Sequence, residues 1–317
     1  MRMQILVGLP GSGKSTYAAE KVSQGWVRVN YDSIRHESDL FPGGYHFSKD
    51  NENRVKHVCL MNAAAALRDG LNVVVDNTNL TEKSRIPWFN LAQVYQLDPE
   101  IIEFNTPLDE CLRRNAARTG WARVPRPVIE RMALWNGRID WPTDKKIVIV
   151  DMDGTLSDTK DRQKYVDGKC KDPDCRNGLH IVYDTVSNCP VCGGTGREKK
   201  NWNRFFEEVS NDQPNKVVLE WVKSLEGAYY VCVVSGRPLD RCGNETEEWL
   251  NRHQVPYNRL FMRAAGDNRD DTIIKKEILD RMPKNMIAYS IDDRPRVIRM
   301  WRENGIRCYD VGNGIEF

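Results

Sequence analysis

Short apolar, β-branched runs punctuate the chain, separated by stretches whose apolar residues recur at helical spacing. MQILVG from Met3, WVRVN from Trp26, NVVVDNT from Asn72 and PEIIEFNT from Pro99 come first. KKIVIVDMDGT from Lys145, YYVCVVSG from Tyr229, MIAYSIDD from Met286 and IRCYDVG from Ile306 follow. Runs such as VVV and IVIV lack the in/out alternation of a half-exposed strand, so they predict parallel sheets covered by helices on both faces. The chain reads as α/β in both halves. The weakest stretch between the two sets is Gly137 to Lys146, GRIDWPTDKK, where glycine and proline interrupt the pattern. This places a boundary near Thr143, giving domains 1–143 and 144–317. Within the second half, residues 167–200 hold four cysteines, several glycines and few core-type residues, and read as an insertion between the first strand and the next helix.

Composition narrows the class. The length of 317 residues and an apolar fraction of 40% suffice for two packed cores. The N-terminus has no apolar leader, and no apolar run is long enough to cross a bilayer, so the sequence predicts a soluble, cytoplasmic protein without a membrane partner. The formal net charge of +2 is too small for non-specific binding of polyanions, which must be held by local patches.

Gly8-Leu9-Pro10-Gly11-Ser12-Gly13-Lys14-Ser15 fits G-x-x-x-x-G-K-[ST] directly after a strand and before a helical run over Ser15 to Val22. In this setting backbone N–H groups of Gly8, Gly11, Ser12 and Gly13 turn inward around the phosphates of ATP. Lys14 reaches the β and γ phosphates, Ser15 ligates Mg²⁺, and Thr16 completes the cradle. The end of the second strand supplies Asp32, a candidate general base for an attacking hydroxyl, and Arg35, a clamp for the acceptor; an N-cap aspartate followed by a solvated arginine is the plainer alternative. Between Leu112 and Arg126 stand five arginines and no acidic residue. The run is either a solvated face or a phosphate-closing lid, with Arg118 as its finger and Arg114 one turn earlier on the same helix face. Trp121 either stacks on a base or packs beneath the lid. Asp76, Asn77 and Thr78 close the third strand and are expected to touch Mg²⁺ or phosphate.

In the second half, Asp151-Met152-Asp153 follows the buried IVIV strand. One carboxylate attacks phosphorus; the other protonates the leaving oxygen and then activates water. Asp292-Asp293, at another strand end, join Asp151 and Asp153 as expected Mg²⁺ ligands. Ser235 and Arg237 close a third strand, and Lys275 neutralises a phosphate oxygen. These segments, in this order, resemble the haloacid-dehalogenase phosphohydrolases.

A P-loop kinase followed by such a phosphohydrolase resembles the bacteriophage polynucleotide kinase-phosphatase family over nearly the whole chain. The resemblance implies transfer of the ATP γ-phosphate to a 5′-hydroxyl end of RNA or DNA and removal of a 3′-phosphate, so that a separate ligase can seal the ends. It implies substrate contacts for Arg35, Arg162, Arg237, Asp271 and Lys275, and allows self-association. Cys170-x₄-Cys175-x₁₃-Cys189-x₂-Cys192 departs from the family pattern. Its spacing predicts a structural Zn²⁺ site in a lid over Asp151, with His180 a surface residue. Two rival readings stay open: a small-molecule kinase fused to a small-molecule phosphatase, and a zinc-containing nucleic-acid adaptor.

Overall fold

The structure, a computed structural model, describes residues 1–36, 39–170, 172–182 and 185–314. The chain divides into two compact units, one of Met1–Val124 with Met132–Asp140, the other of Pro125–Arg131 with the chain from Trp141 onward.

The first unit runs β1 (Met3–Val7), α1 (Lys14–Ser23), β2 (Val27–Val29), α2 (Tyr31–His36), α3 (Lys49–Arg68), β3 (Val73–Val75), α4 (Glu82–Val94), β4 (Glu100–Glu103) and α5 (Leu108–Ala116). Its four strands are all parallel, in the order β2-β3-β1-β4. Period-two alternation sorts their side chains between two layers. Met3, Ile5, Val73 and Val75 pack with Ala63 and Leu67 of α3 and Trp88 of α4, whereas Leu6 and Val74 pack with Ala18 of α1 and Trp26. Edge strand β4 departs from the expected double cover: Glu100, Ile101 and Glu103 are exposed, and charged residues on an open edge discourage further pairing.

Helix α6 (Arg126–Trp135) is divided between the units. In its first part, the buried Glu130 accepts hydrogen bonds from the Leu260 backbone N–H at 2.8 Å and from Arg126 Nε at 3.0 Å. Burial pushes the Glu130 carboxyl up to about 7, with Arg126 opposing.

The second unit continues with β5 (Ile147–Val150), β6 (Ser157–Asp158), α7 (Lys160–Gln163), β7 (Cys175–Arg176), β8 (Leu179–Val182), β9 (Thr185–Asn188) and α8 (Trp202–Glu207). There follow β10 (Gln213–Pro214), α9 (Lys216–Lys223), β11 (Tyr230–Pro238), α10 (Leu239–Arg252), β12 (Arg259–Arg263), α11 (Asp271–Leu279), β13 (Ile287–Asp292), α12 (Pro295–Glu303) and β14 (Cys308–Asp310). The main sheet is parallel, in the order β12-β11-β5-β13-β14. Chain order reverses at β5, and the carboxyl ends of strands beside such a switch point form a crevice. β12 was not among the strands expected from hydrophobic pattern. The cysteine-rich stretch, expected between the first strand and the next helix, follows the short helix α7 and carries its own antiparallel β7-β8-β9 sheet.

Candidate functional site

Two cavities sit at strand ends, one in each unit. In the first, of about 460 Å³, the loop after β1 faces the ends of β2 and β3. Gly11 has φ 85°, and a Cβ there would lie 2.4 Å from the Cys111 carbonyl oxygen, so the loop requires glycine at this point. Lys14 is 7% exposed and donates from Nζ to the carbonyls of Gly8 and Leu9, both at 2.8 Å. Burial lowers its pKa to about 8, with the Asp76 carboxylate opposing. Ser15 and Thr16 are exposed at the start of α1.

Asp32 lies in the first turn of α2, and its exposed carboxylate stands 2.6 Å from Arg35 Nη1. The Ser33 backbone N–H goes to Asn30 Oδ1 at 3.0 Å, so Asn30 takes the capping contact that was the alternative for Asp32. Arg35 is not solvated: Nε and Nη2 form a fork onto Glu52 at 2.9 and 2.7 Å. Glu52, at the start of α3, escaped sequence reasoning because only tertiary folding brings it to Arg35. The buried Asn77 Nδ2 lines the cavity without a hydrogen-bond partner among the described residues, leaving a donor for phosphate. Thr78 also lines the cavity, and its carbonyl accepts from the Gly8 N–H at 3.0 Å.

The arginine run divides by environment. Arg113 and Arg114 both pair with Glu110, just before the run, at 2.7 and 2.6 Å, and Arg126 belongs to the second unit. Arg118 lines the cavity but follows the end of α5, so it and Arg114 do not share a helix face. Asn115 holds the intervening segment, with Nδ2 donating to the Val124 carbonyl at 2.6 Å and Oδ1 accepting from the Val124 N–H at 3.0 Å. Trp121, half exposed, stacks on His36 with ring centres 4.8 Å apart.

The second cavity, of about 380 Å³, opens above Asp151 and Asp153. Lys275 Nζ bridges Asp151 at 2.6 Å and Asp292 at 2.9 Å. Trp301 Nε1 donates to Asp292 at 3.1 Å, and Thr155 Oγ1 to Asp293 at 3.1 Å. A Cβ on Gly154, whose φ is 84°, would sit 2.1 Å from Asp293 Oδ2, so glycine lets this carboxylate come close. Burial pushes the Asp151 carboxyl well up; Lys275 opposes, and Asp292 and Asp293 add to the rise. Carboxylate oxygens of Asp151, Asp292 and Asp293 lie within 4.8 Å of one another. Three hard oxygen donors crowded around one lysine fit Mg²⁺.

Asp153, expected among these ligands, is outside that group. Burial alone would raise its carboxyl, but Arg162 and Arg237 hold it well below the usual carboxylate range. Arg237 reaches Asp153 from Nη2 at 2.6 Å, and Arg162 pairs with the same oxygen. These arginines, expected to contact substrate, have side chains that are 1% and 0% exposed. Both turn inward to Asp212, Arg162 through Nε at 2.6 Å and Nη2 at 2.7 Å, and Arg237 through Nη2 at 2.8 Å. They therefore orient Asp153 from behind. Ser235 is buried too, its Oγ accepting from the Arg237 N–H at 3.2 Å. Asp271 lines the cavity, 3.4 Å from Arg294 and 3.6 Å from Lys275.

Asp212 had no sequence signal; it is 50 residues from Arg162 and ends no long strand. Removing one member of such a buried network leaves charge uncompensated. Asp212→Asn is expected to destabilise the second unit by about 3–5 kcal/mol, read as a lower melting temperature, and to impair chemistry at Asp153.

The four clustered thiols come together as the spacing predicts: Cys170 Sγ to Cys189 Sγ is 3.7 Å, Cys175 Sγ to Cys192 Sγ is 3.8 Å, and all four lie within 4.8 Å. These distances exceed a disulfide bond, whereas a tetrahedron with Zn–S of about 2.3 Å has edges of about 3.8 Å. Backbone N–H groups of Gly178 and Gly196 point at Cys175 and Cys192 sulfurs, at 3.3 and 3.2 Å, as thiolates require. The donor set fits Zn²⁺. His180, expected at the surface, is only part-exposed and meets Asp172 at 2.5 Å, which in turn accepts from Cys189 Sγ at 3.3 Å. Among the described residues that line the cavity above Asp151, Trp202, Phe205 and Phe206 of α8, just after the module, form one wall. Among the described residues no helix is long and apolar enough to cross a membrane.

Comparison with known proteins follows the same division. Residues 192–315 match the family model described as the polynucleotide kinase PNKP phosphatase domain, and residues 3–136 match the AAA domain model. A protein of Autographa californica nuclear polyhedrosis virus named as a bifunctional polynucleotide kinase/RNA ligase is 25% identical over 95% of this chain and 41% of its own length. The bifunctional polynucleotide phosphatase/kinase of Schizosaccharomyces pombe is 34% identical over 35% of this chain and 22% of its own. The chain thus spans less than half the length of either relative. A solved structure of a Pnkp1/Rnl/Hen1 RNA repair complex contains a chain 27% identical to this one, covering 99% of this chain and 97% of that one, with a TM-score of 0.38. The chain thus joins a segment that matches the AAA domain model to one that matches the polynucleotide kinase PNKP phosphatase domain model, on two parallel-sheet α/β units.

Proposed function

We propose that the chain heals broken polynucleotide ends, phosphorylating 5′-hydroxyls with ATP in its first unit and hydrolysing 3′-phosphates in its second. The observation carrying this reading is the pairing, in one chain, of a P-loop cavity containing Asp32, Arg35 and Arg118 with a carboxylate cavity in a domain of the polynucleotide kinase-phosphatase type.

In the kinase, Lys14 turns from the loop carbonyls to the β and γ phosphates, assisted by Ser15, Thr16 and the loop N–H groups. Asp32 accepts the proton of the 5′-hydroxyl as its oxygen bonds to the γ phosphorus and the bond to the β–γ bridging oxygen breaks, releasing ADP. Arg35, exchanging a carboxylate for phosphate, holds the acceptor. Arg118, with Arg114 nearby, neutralises charge on the transferring group.

In the phosphatase, an Asp151 oxygen bonds to phosphorus while the bond to the 3′-oxygen breaks. Asp153 donates a proton to that oxygen, having gained one because an arriving phosphate dianion raises its proton affinity. A water deprotonated by the ionised Asp153 then attacks phosphorus, breaking the acyl-phosphate bond and freeing inorganic phosphate. Arg162 and Arg237 favour this ionised state. Mg²⁺ held by Asp151, Asp292 and Asp293 would supply positive charge to the phosphate oxygens. Lys275 and Asp271 contribute from the start of α11, and a separate ligase would seal the product.

Zinc held by Cys170, Cys175, Cys189 and Cys192 would staple the module. Native mass spectrometry is expected to find one zinc per chain. Cys192→Ser should lose it and open residues 167–200 to proteolysis, since metal binding supplies most of the folding energy of so small a unit. The polynucleotide assignment is tested by competition: oligonucleotides with 5′-hydroxyl ends should suppress phosphorylation of nucleosides and sugars, and the opposite order would favour a small-molecule kinase.

A further inference from the structure

The cavity above Asp151 has a wall that phosphate chemistry does not need. Trp202 is 41% exposed, yet its ring is held: it stacks on Phe206 at 5.9 Å and 23°, and meets Phe205 edge-on at 5.5 Å. All three rings line the cavity that contains Asp151 and Asp153. The same cavity is lined by Arg263, Arg294 and Arg296, each tied to the carboxylates or backbone around it. An aromatic face and arginines sharing a volume of about 380 Å³ suit a planar ring attached to a phosphate, whereas a bare phosphomonoester would leave the rings exposed to water.

We infer that Trp202, supported by Phe206, is the stacking platform for the base of the 3′-terminal nucleotide, and so a specificity-determining residue of the phosphatase. The inference rests on the function proposed above. Its geometry follows from the chain: Asn201 ends the segment leaving the cysteine module, donates its backbone N–H to the Tyr165 carbonyl at 2.8 Å, and caps α8 by accepting from the Arg204 N–H at 3.1 Å. The platform is thereby fixed at the root of the module, which links the module to substrate choice.

Stacking of a base on an aromatic ring contributes enough to change affinity by about tenfold or more. The test compares two oligonucleotides with a 3′-phosphate, one ending in an ordinary nucleotide and one whose last nucleotide lacks its base. The full-length enzyme should show kcat/KM about tenfold or more higher for the first. In Trp202→Ala this ratio should collapse toward one, and in Trp202→Phe most of it should return. Turnover of the abasic strand reports in every variant that the protein is folded. A ratio near one in the unaltered enzyme, or a ratio untouched by Trp202→Ala, would overturn the stacking role while leaving 3′-phosphatase activity standing. Failure of the unaltered enzyme to release phosphate from either strand would instead remove the proposed function, and this inference with it.

Discussion

Asp151→Asn should reduce release of phosphate from a 3′-phosphorylated oligonucleotide by about a thousandfold or more, because the reaction loses the atom that attacks phosphorus. The amide oxygen is a poor nucleophile, and the change removes more than that. Asp151 and Asp292 share Lys275, with Nζ at 2.6 and 2.9 Å, so a neutral residue leaves the lysine turned toward Asp292 and Asp271. Shape is nearly preserved, and the kinase site belongs to the other compact unit. Phosphorylation of a 5′-hydroxyl by the same preparation is therefore the control that separates loss of chemistry from loss of fold. Substantial phosphate release by the Asn variant would mean that another group attacks phosphorus.

Lys14→Met should reduce 5′-phosphorylation by about a hundred- to thousandfold, read as label transfer from ATP. Methionine fills a similar volume and removes the charge. Lys14→Arg is expected to fail nearly as badly. Lys14 is 7% exposed and its ammonium fits among the Gly8 and Leu9 carbonyls and Ser12 Oγ; a planar guanidinium needs more room and a different donor geometry. An active Arg variant would show that charge alone, without the geometry of the loop, carries the effect.

The readable and unreadable parts of this chain differ physically. β3 and β5 declared themselves because strands buried on both faces have no polar positions to blur the run. β12, Arg259–Arg263, was hidden by its terminal arginines: Arg259 lies beside the buried Glu130, and Arg263 Nε donates to the Gly236 carbonyl at 2.6 Å. The candidate residues Asp32, Asp151 and Asp292 stand out in the sequence because they lie at or just after strand ends, where parallel sheets present chemistry, and Lys14 because of the spacing of the loop before α1. The four cysteines were legible because spacing limits which thiols can meet.

Partners brought together from afar carry no such signal. Nothing local distinguishes Glu52 from a solvated glutamate, although it grips Arg35, and Asp212 reads as part of a turn, although it anchors two buried arginines. The same limit applies to Arg162 and Arg237, whose burial the sequence does not reveal. A sequence shows that a guanidinium stands near a reactive carboxylate, but whether it faces substrate or supports the carboxylate from behind depends on burial. Trp202 was concealed differently, since an aromatic residue leaving a cysteine-rich segment reads as ordinary core.

The most direct test of the end-healing account supplies the protein, ATP and Mg²⁺ with two separate oligonucleotides and measures each mass. One has a 5′-hydroxyl and nothing to remove; the other has a 3′-phosphate and a blocked 5′ end. The account predicts that the first gains one phosphate and the second loses one. If both masses stay unchanged while a free nucleoside or sugar is phosphorylated, the polynucleotide assignment is contradicted.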